Sequence, residues 1–274
     1  MTSIRLLALD LDGTVVSPDL RVDDRDIQAL GRAEAAGITV VACTGRPFPG
    51  AMIWIQRLGL HGPFVCYQGA QIRTPDGSTL LDQGLPREVA AAVINYCDER
   101  DLHVQAYRDD ELIVARDRPE ARDYAHHAGM EMHVVGDLAA ALGPTTPKLV
   151  IVAPSATVDR TLPELQQTFA DEVYAATSMP TYLEVTRKGA TKSRALSVLC
   201  QDLGIDQSET AAAGDGRNDI PMLEWAHLGV AIAGSRPEVL AAAQGRTVPA
   251  PGGAGMVALV DALLGELPAA WAVA

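Results

Sequence analysis

The sequence predicts an α/β protein: a parallel sheet with helices on both faces, made from both ends of the chain (residues 1–82 and 188–274), with an α+β domain inserted at residues 83–187. Three observations carry this. Apolar runs of strand length alternate with helical patterns as far as Asp82, the same alternation returns after Lys188, and hairpin-like strand pairs replace it in between.

Arg5–Leu9 reads as a buried strand and Asp24–Ala36 as a helix, followed by a strand at Thr39–Cys43 and a helix running from after Pro47 towards Leu58. Phe64–Tyr67 is a further strand. The stretch TPDG, Thr74–Gly77, suits a hairpin turn because proline and glycine supply its dihedral angles. From Gly84 the segment LPREVAAAVINYCDER carries a long helical pattern, and a polar turn joins the strands His103–Tyr107 and Glu111–Ala115. Lys148–Val152 and Glu172–Ala176 are strands with a helix between them, and Thr181–Val185 closes the insert as a hairpin arm. A helix at Thr191–Leu203, a strand at Thr210–Ala213, a helix after Arg217 and a strand at Leu228–Ile232 complete the core.

The chain's 274 residues exceed what one ordinary core needs, and 48% hydrophobic residues support a globular protein. A formal net charge of -13, with no cluster of Lys and Arg, argues against a nucleic-acid-binding surface, because such clusters neutralise phosphates. The N-terminus lacks a signal-peptide pattern and no apolar stretch of about 18 residues occurs, so the expectation is a soluble, cytoplasmic protein without a membrane partner. Monomer and homodimer both stay open. Cys43, Cys66, Cys97 and Cys200 have no CxxC spacing and read as buried thiols. His126 and His127 are adjacent in sequence and fit a solvated helix better than a metal site.

Ligands of open parallel sheets bind beyond the carboxyl ends of the strands. Three predicted strand ends are polar: DLDGT at Asp10–Thr14, TGR at Thr44–Arg46 and GDGRND at Gly214–Asp219. A fourth stretch, GATKS, puts Lys192 at the start of a helix. Asp10, Asp12, Asp215 and Asp219 gathered at one rim would repel one another unless a cation sat among them, and hard carboxylate oxygens suit Mg²⁺. Because Mg²⁺ takes few carboxylates and commonly a substrate phosphate, the pattern directs the reading to phosphoryl transfer. Competing templates fail: Val15 and Arg21 stand where a calcium loop starting at Asp10 needs Gly and Glu, and no Gly-Lys dipeptide exists to make a P-loop. Taken singly, each acid or hydroxyl has a structural alternative as a cap or turn residue; their occurrence together at strand ends favours chemistry.

In this order, DLDGT, TGR, Lys192 and GDGRND resemble the four motifs of the haloacid dehalogenase superfamily of phosphotransferases, and the inserted block resembles the large α/β cap of its Cof-like sugar-phosphatase branch. The resemblance spans nearly the whole chain. It implies a Rossmann-like catalytic core with a cap that closes over the substrate. The implied activity is Mg²⁺-dependent hydrolysis of phosphate monoesters of small metabolites, sugar phosphates above all, through an aspartyl-phosphate. Asp10 would attack phosphorus, while Asp12 would protonate the leaving oxygen and later activate water. Mg²⁺ would bind the Asp10 carboxylate, the Asp12 backbone carbonyl and Asp215, with Asp219 as a nearby ligand or supporting acid. Thr44 and Lys192 would bind the transferring phosphoryl group, with Gly45 and Arg46 beside them and Asn218 orienting Lys192 or the phosphate.

This chain departs from the branch at Gln68, where Asn is usual, and at Ala233-Gly234, where Gly-Asn is common. Glu184, Arg187 and Lys188 are the weaker candidates for setting specificity. Two alternatives stay open at the level of sequence: a phosphomutase acting on sugar phosphates, and a regulator that binds a phosphorylated ligand without turnover.

Overall fold

A computed structural model describes residues 3–265 and the backbone of 272–273. The chain forms two compact units. One consists of the chain up to Thr44, Met52–Leu80 and the chain from Thr191 onwards; the other consists of Gly45–Ala51 and Leu81–Ala190.

In the first unit the strands lie in the order Thr39–Ala42, Leu6–Leu9, Thr210–Gly214, Leu228–Ile232, Arg246–Val248 and Ala272–Val273. Every neighbouring pair is parallel except the last, which is antiparallel. Side chains alternate between the two faces of a strand, so the complete burial of Leu6, Leu7, Ala8 and Leu9 means that both faces of this strand are covered. Helix Asp24–Ala35 packs on helix Gly255–Leu264, and helix Ile220–Trp225 lies against the strands Thr210–Gly214 and Leu228–Ile232. Asp26, almost wholly buried, accepts the amides of Met256 and Val257 at 3.0 and 3.2 Å. Burial raises the Asp26 carboxyl above its usual range, and the two amides at the start of the helix it caps oppose that rise.

Leu6–Leu9 lies between Thr39–Ala42 on one side and Thr210–Gly214 on the other, so the strand order reverses about it. Such a switch point opens a crevice at the carboxyl end of the strand, directly before Asp10. The helix expected after Arg217 starts as a 3₁₀ turn, Arg217–Asp219, before becoming helix Ile220–Trp225. The expected turn at Thr74–Gly77 is closed by the amide of Thr74 donating to Ser78 O (3.0 Å) and that of Gly77 to Thr74 O (2.9 Å).

The second unit has a sheet in the order Val173–Met179, Tyr182–Arg187, Leu149–Val152, His103–Arg108, Glu111–Val114 and Met132–Val134. Its pairings are antiparallel apart from the final one. Val104, Ala106, Leu149, Ile151, Leu183 and Val185 share one face and form a core with helices Arg87–Asp98 and Ser155–Thr168. The other face is polar and aromatic. Tyr107 and Tyr124 share a hydroxyl hydrogen bond of 2.6 Å, and the Tyr124 ring meets Tyr182 edge-on. The buried Lys148 ammonium lies 3.1 Å from Glu184 and donates to Gly45 O at 2.8 Å. Helix Pro119–Ala128 presents His126 and His127 to solvent, as the sequence predicts. All four cysteines are buried free thiols. Among the described residues no helix is long and apolar enough to cross a membrane.

Candidate active site

The ladder of Leu6–Leu9 continues one residue further, where the Asp10 amide donates to Ala213 O at 3.0 Å. The chain then folds tightly, with Leu11 O accepting from the amides of Thr14, Val15 and Val16 at 3.3, 3.0 and 2.7 Å. Gly13 allows this turn for two reasons. Its φ of +86° lies in the left-handed region, and a Cβ at this position would stand 2.4 Å from Asp215 Oδ2. The two acid-bearing loops therefore approach each other closely only because residue 13 has no side chain. Thr14 strengthens the contact, its hydroxyl donating to Asp215 Oδ1 at 3.1 Å.

Lys192 enters from the first turn of helix Lys192–Leu203, capped by the Thr191 hydroxyl, which accepts from the Arg194 amide. Its Nζ lies 2.6 Å from Asp10 Oδ1 and 2.6 Å from Asp219 Oδ1, and 1% of the Lys192 side chain is exposed. Asp219 is fully engaged, because its Oδ2 accepts the amides of Asp215 (3.1 Å) and Gly216 (2.9 Å). Among the described residues, Asp10, Asp215 and Asp219 bring carboxylate oxygens within 4.8 Å of one another. The Asp12 side chain stands outside that cluster and is exposed.

Thr44 is fully buried at the end of strand Thr39–Ala42; its amide donates to Val65 O at 2.9 Å and its carbonyl accepts from Gln68 N at 3.1 Å. Gly45 and Arg46 follow it in the second unit, both half-buried. Asn218 turns its side chain towards Gln68. Its Nδ2 donates to Gln68 Oε1 at 3.1 Å, while Asp219 is the residue that holds Lys192. Sequence reasoning gave Thr14 no role, although it completes the DLDGT motif, and treated Gln68 only as a departure from the branch. No local signal links Gln68 to Asn218. Of the specificity candidates, Glu184 is buried against Lys148, whereas Arg187 and Lys188 are exposed.

The electrostatics follow from burial and crowding. Burial and the charge of Asp219 push the Asp10 carboxyl well above the usual carboxylate range; Lys192 opposes them, and Asp215 and Asp12 add to the rise. Asp215 is raised to about 6, first by burial and then by Asp219, against the hydrogen bond from Thr14. Burial disfavours the Lys192 ammonium, yet the charges of Asp10 and Asp219 outweigh it and hold its pKa above the ordinary lysine value. A divalent cation would relieve this crowding directly. Three clustered carboxylates form a hard oxygen donor set of the kind Mg²⁺ takes, so the residues fit that ion.

Residues 7–250 match the family described as haloacid dehalogenase-like hydrolases. The chain is 28% identical over 237 residues to an HMP-PP phosphatase of Cronobacter sakazakii, covering 86% of this chain and 87% of that protein. Among solved structures it is similar to TM0651 from Thermotoga maritima, with TM-score 0.83 and 27% identity over 94% of this chain and 97% of that one. It is also similar to BT1666 from Bacteroides thetaiotaomicron, a phosphatase of the haloalkanoate enzyme superfamily, with TM-score 0.80 and 25% identity over 96% and 95% of the two chains. The chain therefore belongs to the haloacid dehalogenase-like hydrolase family, in its Cof-like phosphatase branch.

Proposed function

We propose that this phosphatase is Mg²⁺-dependent and hydrolyses phosphate monoesters of small metabolites, sugar phosphates above all, through an aspartyl-phosphate on Asp10. The observation that supports it most is the buried Asp10 carboxylate, held at the carboxyl end of the central strand by a lysine that also grips Asp219. A carboxylate fixed in orientation beside a buried ammonium is arranged to attack an anionic phosphoryl group, because the cation offsets the charge gathered there.

In the first half-reaction an Asp10 oxygen bonds to phosphorus as the ester P–O bond breaks, and the departing alkoxide takes a proton from Asp12. In the second, Asp12 takes a proton from the water that attacks the aspartyl-phosphate, releasing inorganic phosphate and restoring Asp10. The exposed position of Asp12 suits a group that gives up and regains protons each cycle. Thr44 and Lys192 bind the phosphoryl oxygens in this scheme, with Gly45, Arg46 and Asn218 near them. Asp10, the Asp12 carbonyl and Asp215, with Asp219 beside them, would hold Mg²⁺, which would supply charge neutralisation at the phosphoryl group. The first unit, which carries Asp10, Asp12, Thr44, Lys192, Asp215, Asn218 and Asp219, is assigned as the catalytic core. The insert expected at residues 83–187 is assigned as the cap.

The test is phosphate release from sugar phosphates, HMP-PP, pyridoxal phosphate, flavin mononucleotide and p-nitrophenyl phosphate, in Mg²⁺ or EDTA, by wild type and Asp10→Asn. Mg²⁺-dependent release that Asp10→Asn abolishes is the expected result, and the ranking names the substrate. Folded, Mg²⁺-loaded wild type that releases phosphate from none of them overturns the reading.

A further inference from the structure

The turn Tyr67–Gly69 has no part in the chemistry above, yet three of the segments assigned to it meet there. Its backbone is unusual. Tyr67, Gln68 and Gly69 are consecutive left-handed residues, with φ of 51°, 61° and 103°. A bulky tyrosine and a glutamine in this region are strained, and such strain persists where the surroundings over-determine it, often at a functional site.

Three contacts supply the constraint. The Gln68 amide donates to the Thr44 carbonyl at 3.1 Å. The Gln68 side chain accepts from Asn218 Nδ2 at 3.1 Å. A Cβ on Gly69 would lie 2.2 Å from the Thr191 carbonyl carbon and 2.7 Å from the Lys192 amide, so the turn presses directly on the start of the helix that carries Lys192. Segments far apart in the chain are thus indexed against one short turn. The left-handed conformation at Gln68 lets its backbone amide reach Thr44 while its side chain reaches Asn218.

We propose that Gln68 is a positioning residue for phosphoryl transfer: it holds the Thr44 and Asn218 loops in one register about Lys192, using its backbone amide for one and its side-chain amide for the other. The inference rests on the phosphatase reading above. It assigns to an uncommon residue of this chain the task of keeping two phosphoryl-binding loops together.

The experiment compares wild type with Gln68→Gly, Gln68→Asn, Asn218→Ala and the double variant Gln68→Gly/Asn218→Ala. Three quantities are read: kcat and KM for p-nitrophenyl phosphate with Mg²⁺, the melting temperature, and hydrogen-deuterium exchange of peptides covering 44–46 and 214–219. Glycine relaxes the left-handed strain while removing the side-chain amide, so Gln68→Gly is expected to melt within about 3 °C of wild type. Its kcat falls about three- to tenfold, the size of one lost hydrogen bond, with a smaller change in KM. Asn218→Ala behaves alike, the double variant is no worse than the poorer single one, and Gln68→Asn, which keeps an amide and tolerates the conformation, recovers part of the loss.

Wild-type kcat in Gln68→Gly, or losses that multiply in the double variant, overturns the positioning role. The exchange measurement separates this from failure of the phosphatase reading. If wild type turns over no substrate, faster exchange of both peptides in Gln68→Gly still supports the positioning role, and unchanged exchange overturns it.

Discussion

Replacing Lys192 by methionine removes the charge on which the buried acid cluster depends. The ammonium is 2.6 Å from an oxygen of each of two carboxylates, and the exposed fractions of the Lys192, Asp10 and Asp219 side chains are 1%, 7% and 1%. Water cannot replace the lost partner at such a site, and removing one member of a buried ion pair typically costs about 3–5 kcal/mol. The pH dependence has a definite sign. Lys192 is the group that opposes the upward push on Asp10, so its loss raises that carboxyl further. A carboxyl whose folded pKa exceeds its unfolded value binds more protons when folded. Its cost to stability is therefore absent below the unfolded pKa, grows as pH rises above it and levels off beyond the folded value. Urea unfolding of wild type and Lys192→Met in EDTA, at pH 5 and pH 8, reads this directly. The expected loss is about 3–5 kcal/mol at pH 8 and smaller by at least about 1 kcal/mol at pH 5. An equal loss at both pH values, or one below about 1 kcal/mol at pH 8, refutes the account of a charge-balanced buried cluster.

Two other substitutions probe the loops that carry the acids. Gly13→Ala puts a Cβ where Asp215 Oδ2 now lies 2.4 Å away, on a backbone with φ of +86°. It is expected to lower kcat/KM at least about tenfold and to shrink the rise in melting temperature expected on adding Mg²⁺ to wild type, and a wild-type response to Mg²⁺ counts against the steric argument. Thr14→Val deletes the 3.1 Å hydrogen bond that helps hold Asp215 down at about 6, so that carboxyl moves higher. Because protonation competes with the metal, the Mg²⁺ concentration giving half-maximal phosphate release is expected to rise more at pH 6 than at pH 8; equal changes at the two pH values would show that the hydroxyl acts only on packing.

Much of the site is legible along the chain because a parallel sheet brings its strand ends together. A short apolar run such as LLAL, buried on both faces, announces a central strand, and the acids after it must then lie at the rim. The same logic locates Thr44 and Asp215. It fails for contacts made by side chains entering from separate loops. Asn218, expected to orient Lys192 or the phosphate, bonds to Gln68, 150 residues away, and Asp219, 27 residues from Lys192, bonds to the lysine. Neither pairing leaves a periodic trace in the sequence, since each depends on where two loops cross after the sheet has formed.

By itself, the sequence determined the α/β class, the strands that end in acids and the order of the four motifs, because hydrophobic period and turn chemistry are local properties that the chain carries residue by residue. Tertiary structure alone decided that Lys192 bridges Asp10 and Asp219, that Gly13 makes room for Asp215 and that Tyr67 and Gln68 adopt left-handed backbone. Those outcomes are set by close approach between distant segments, where burial, charge and excluded volume act through space rather than along the chain.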